Sequence, residues 1–160
     1  MVLSAMLDFL IYYRGLFQHL LIFGLTLFAL VRADGPEKFS SLTLSLMVLL
    51  DYLYHFIFPR GGVYEAVEIG HLVIDTSALI SFAFIAAKAN RMYPLWLLGA
   101  QLMSVMMHFN REISEEMPGM VYLVLTRFPS YIQIIAMAVG LYCHRRRIAR
   151  YGSYRSWRIS

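Results

Sequence analysis

The sequence predicts an all-α integral membrane protein, with about five transmembrane helices in an up-down bundle. Four spans are clean and the fifth is interrupted by proline and arginine. Three observations carry this reading. Of 160 residues, 59% are hydrophobic and only 15% charged, and mean hydropathy is +0.60; a soluble domain is nearer a quarter charged. The charges are bunched between long apolar stretches. Each of those stretches is close to the ~20 residues that a hydrocarbon core demands.

At the N-terminus, MVLSAMLDFLIYY has apolar residues at 2, 3, 6, 9, 10 and 13. That spacing suits a short interfacial helix or an extension of the first span. The first four spans run over about 15–31, 41–58, 68–87 and 93–109, separated by RADGPEKFS, PRGGVYEAV and KANRM. Pro, Gly and charge mark these connections as turns. The fifth span is placed at 128–144, with Pro129 in its first turn, where a missing N–H does no harm. MVYLVLTR then lies along the membrane surface as a short interfacial helix. A single kinked helix over 119–144, with Arg127 snorkelling outward, is the alternative. Residues 1–144 thus make one bundle and 145–160 a basic cytoplasmic tail.

Of the 14 Lys and Arg residues, five spans put Arg14, Arg60, Arg111 and Arg127 on one side and all others on the side of the C-terminus. The positive-inside rule then sets the N-terminus outside and the C-terminus in the cytoplasm, in a membrane expected to be a bacterial inner membrane. The N-terminus lacks the basic region and small-residue cleavage site of a signal peptide, so the first apolar segment is expected to stay. Cys143 is the only cysteine, which excludes a disulfide framework and a thiolate metal knuckle. Phosphate loops, HExxH and nucleophile elbows are absent, so no catalytic residue is singled out. The net charge of +4 comes mostly from the tail and does not point to nucleic acid. Arg145, Arg146, Arg147 and Arg150 suit anionic lipid, with Trp157 at the interface.

Residues 51–75, DYLYHFIFPRGGVYEAVEIGHLVID, carry the chemistry. Asp51-x-x-x-His55 is mirrored by His71-x-x-x-Asp75. In an antiparallel hairpin, reversed order along the chain becomes equal depth in space. His19 and His108 also fall within about one helical turn of that outer level, at 1.5 Å rise per residue. Each Asp–His pair has i, i+4 spacing on one helix face, and Glu68 lies three residues before His71. Ionisable groups inside a membrane normally face the bundle interior and mark a site.

Neutral imidazole suits zinc, copper or iron, and a carboxylate one turn away can orient it. His55, His71, His108, Asp51, Asp75 and Glu68 are therefore candidate metal ligands. His19, His55, His71 and His108 are candidates for a cofactor such as a haem-type tetrapyrrole. Electron transfer is the role such a site suggests. A non-catalytic subunit of a larger membrane complex, or of a homo-oligomer, explains the same residues with a purely structural polar cluster. A small proton or ion transporter or pore using Asp51 and Asp75 is a further alternative. Gln101, Ser104, His108 and Gln133 read as interhelical hydrogen bonding, and Ala136-x-x-x-Gly140 as a chance match to a close-contact motif.

Overall fold

The computed structural model describes the backbone of residues 2–58, 64–113 and 119–158, and the side chains of 13–58, 69–109 and 127–158. The described residues form five helices and no strand: α1 (Val2–Arg32), α2 (Gly35–Ile57), α3 (Tyr64–Lys88), α4 (Tyr93–Ile113) and α5 (Gly119–Tyr151). Among them, three segments are long and apolar enough to cross a membrane: Tyr13–Arg32, Gly35–Ile57 and Ile69–Lys88. Sequential helices pack side by side, and α5 returns against α1 and α2 to close the bundle.

The partition of side chains is that of a protein whose solvent is lipid. Phe56 is 83% exposed and Ile80 66%, whereas Thr26, Ser41, Ser45, Gln101 and Gln133 are buried. Water would reverse that arrangement; a bilayer favours it, because apolar side chains cost nothing outside and polar ones find partners only inside. Thr26 shows the local logic. Its hydroxyl lies 3.0 Å from the Ser41 carbonyl and 2.7 Å from the Ser45 hydroxyl, joining α1 to α2.

Several helix boundaries differ from expectation: α2 begins at Gly35 rather than 41, with Pro36 in its first turn, and α3 at Tyr64 rather than 68. α1 is continuous from Val2, so the N-terminal segment extends the first helix. α5 runs unbroken for 33 residues with Pro129 inside it, so there is no break between MVYLVLTR and a fifth span beginning at 128. The kinked-helix alternative has the right continuity. Pro129 is fully buried, and leaving the helix there would present unpaired backbone groups to an apolar interior, which costs more than one missing hydrogen bond. Beyond 144 the chain stays helical to Tyr151, then turns at Gly152 (φ 68). It folds back so that Arg158 N–H donates to the Lys88 carbonyl at 2.8 Å.

Close approach depends on small residues at two crossings. A Cβ on Gly140 would stand 2.7 Å from the Tyr93 ring, and Ala136 is buried. Ala136-x-x-x-Gly140 is therefore a real contact face of α5, not a chance match. At Gly70 a Cβ would collide with the Tyr54 ring. That glycine lets α2 and α3 meet closely beside His55 and His71.

Candidate metal centre

Asp51 and His55 lie one turn apart on α2, and His71 projects from the facing turn of α3. Each offers one ligand atom, and the three atoms lie within 4.8 Å of one another. Asp51 Oδ1 is 2.9 Å from His71 Nε2 and 3.7 Å from His55 Nε2. The two imidazole ring centres are 5.1 Å apart, so the mirrored sequence does bring both histidines to one level. The Tyr54 ring packs edge-on to His71 at 5.5 Å. His55 Nδ1 is buried with no hydrogen-bond partner.

The carboxylate pairing differs from the expected i, i+4 scheme. Asp51 bonds across the hairpin to His71 and only loosely approaches His55. Asp75 is engaged elsewhere: its Oδ2 is 2.9 Å from His108 Nε2, and its Oδ1 accepts from Gln101 Nε2 at 2.9 Å. Gln101 Oε1 in turn accepts from Gln133 Nε2 at 2.6 Å. The physical reason is direction: side chains on α3 near Asp75 point to α4, whose amide supplies a donor that another turn of α3 does not. His19 Nδ1 hydrogen-bonds the Tyr52 hydroxyl at 2.9 Å. The Glu68 side chain lies outside the described residues.

Both aspartates open on one cavity of about 450 Å³ that all five helices line. His19, His71, His108 and Arg127 are on its wall; Ile22, Leu44 and Met47 make an apolar side. The Asp51 carboxylate is 41% exposed to this space and that of Asp75 only 20%. Asp51 is thus reachable by an ion, while Asp75 is committed to its neighbours.

A second buried cluster, at the opposite end of the bundle, was not anticipated. Glu37 in the first turn of α2 is fully buried and accepts from Arg91 Nε at 3.0 Å. His144 is buried with its Nδ1 3.9 Å from Glu37 Oε2 and 2.7 Å from the Tyr154 hydroxyl. The Arg91 guanidinium lies over the Tyr154 ring at 4.3 Å. Burial raises the Tyr154 phenol above its ordinary value, against the opposing charge of Arg91. Trp157 sits against Gly35 and the Phe39 ring, and Ser156 Oγ donates to Asp34 Oδ2 at 2.7 Å. The depth comparison that aligned His55 with His71 would have aligned Glu37, Arg91 and His144 as well.

Comparison with protein-family models, curated proteins and solved structures gave no match to this chain.

Proposed function

We propose that this is a five-span integral membrane protein of a bacterial inner membrane, N-terminus outside, that holds a transition-metal ion at Asp51, His55 and His71. The observation that carries the reading is the convergence of one carboxylate and two imidazoles from two helices on a single point beside an open cavity. One oxygen and two nitrogen donors suit zinc, copper, iron or nickel. Three protein ligands leave a coordination position free, as in sites where a metal exchanges ligands or electrons; electron transfer is the role proposed here. His19 and His108 are oriented by Tyr52 and Asp75 through one ring nitrogen each, which leaves the other nitrogen able to ligate, but neither belongs to the converging group of three. A haem fits less well, because Asp51 Oδ1 occupies the space between the two imidazole edges where a macrocycle would lie.

The test is elemental analysis of protein purified without chelator, followed by Co²⁺ reconstitution read in the visible spectrum. One metal per chain and d–d bands lost in His71→Ala are expected. A metal-free protein that takes up neither Co²⁺ nor Cu²⁺ ends the proposal.

A second reading, a non-catalytic subunit of a larger membrane complex, is favoured by the Asp75–Gln101–Gln133 network. None of its buried side-chain atoms lacks a partner, which is how a purely register-setting cluster looks. It predicts co-purifying membrane subunits, and His55→Leu impairing assembly without altering any spectrum. Recovery of a stable solitary monomer from the native membrane counts against it.

A further inference from the structure

At the end of the bundle away from Asp51, α1 and α5 enclose an open trough of about 420 Å³ lined by Gly24, Leu27, Phe28, Val31, Arg32 and Arg145. The α1 residues recur at three- and four-residue spacing, so the trough wall is one continuous apolar face. Leu27 is 66% exposed and Val31 67%. At Gly24 a Cβ would meet nothing within 4 Å. This glycine is not needed for helix packing, unlike Gly70 and Gly140; what it does is deepen the trough.

The two arginines cap one end. Arg32 is the last residue of α1, and the Arg145 guanidinium stands over the Phe28 ring at 5.6 Å. Among the described residues neither pairs with a carboxylate, whereas Arg91 at the same end is spent on Glu37. Two unneutralised guanidiniums above an apolar channel match a molecule with an anionic head and a hydrocarbon chain. A free anion would need the charges but not the channel.

We propose that this trough binds one acidic phospholipid, its phosphate bridging Arg32 and Arg145 and an acyl chain lying along Gly24–Val31. Basic pockets between membrane helices on the cytoplasmic side are a recurrent solution for acidic headgroups, and guanidinium suits phosphate by forked hydrogen bonding. The inference does not depend on the metal site.

The experiment is native mass spectrometry of the full chain in detergent, titrated with phosphatidylglycerol or phosphatidylcholine of identical chains. A single retained phosphatidylglycerol is expected, with affinity about twenty-five-fold above phosphatidylcholine at low salt, taking roughly fivefold per arginine. Arg32→Gln with Arg145→Gln should erase that preference, while Lys88→Gln with Arg155→Gln, exposed cations at the same end but outside the trough, should leave it. Gly24→Leu fills the trough without obstruction and should weaken retention of the intact lipid, at unchanged helicity by circular dichroism. Equal retention of the two lipids by the native chain overturns the proposal. So does a preference that survives the Arg32/Arg145 double variant, or Gly24→Leu binding like the native chain. Inorganic phosphate competing as well as intact phosphatidylglycerol would show an anion site without a lipid. Should the double arginine variant fail to fold, Gly24→Leu decides the matter alone.

Discussion

Asp51 and Asp75 occupy mirrored places in the sequence and opposite situations in the fold. Asp51 has imidazoles around it, His71 at 2.9 Å and His55 at 3.7 Å, and a carboxylate still open to the cavity. Asp75 has both oxygens occupied, by Gln101 and His108, with Gln133 continuing the chain of bonds into α5. A carboxylate ringed by imidazoles and open to a cavity can take up a cation; one with both oxygens bonded, to an amide and an imidazole, fixes helices in register. The mirrored spelling sets depth, and the facing helix sets chemistry.

The contrast can be broken most forcefully at the metal. His71→Ala or His55→Ala should lower metal affinity by about 100-fold or more, as loss of one of three ligands requires, while His108→Ala should change it by no more than about threefold. Isothermal titration with Co²⁺ distinguishes them; equal losses at His71 and His108 would merge the two aspartates into one site. Chelation gives the stability counterpart. EDTA should lower the melting temperature of the native protein and leave that of His71→Ala unmoved.

Next comes the network. Gln101→Leu strands Gln133 Nε2 and one Asp75 oxygen in the interior and should cost about 1–3 kcal/mol in denaturation from detergent. Asp51→Asn, which leaves a polar group facing an open cavity, should cost about 1 kcal/mol or less while abolishing metal uptake. If Asp51→Asn destabilises more than Gln101→Leu, the roles given to the two sites are reversed. Gly70→Val sharpens the same comparison. It pushes Tyr54 and α2 away from α3, so metal binding should fall while the α3–α4 bonds of Asp75 persist.

The smallest effect lies at the other end. The folded chain holds the Tyr154 proton more tightly than the unfolded chain does, because burial raises its phenol. Its stability contribution is therefore complete below the ordinary phenol value of about 10 and declines as pH rises beyond it. A thermal-melt series from pH 8 to 11 should show this decline, and Tyr154→Phe should flatten it at the cost of the His144 bond.

The helices could be read from the chain because hydrocarbon imposes length and polarity directly on sequence. Spans 15–31 and 68–87 coincide closely with helical segments apolar enough to cross a membrane, and 41–58 overlaps a third that starts six residues earlier, at Gly35. The levelling of His55 with His71 was legible too, since an antiparallel hairpin converts sequence order into depth. The partner of each carboxylate was not. Asp75 is four residues from His71, yet it turns to α4, because rotation of a helix about its axis is settled by packing against neighbours. Pro129 misled for a related reason: local propensity ends a helix there, and the apolar surroundings keep it going.

Taken alone, the sequence determined that the chain is helical, that His55 and His71 share one level and which residue types meet there. These follow from 1.5 Å per residue and the cost of charge in an apolar medium. Only the tertiary structure decided which aspartate stays open, and that Glu37, Arg91, His144 and the returning Tyr154 form a buried cluster. Those contacts join residues from Glu37 to Tyr154. Their geometry depends on how five helices are rotated and closed together, a property that no single stretch of chain contains.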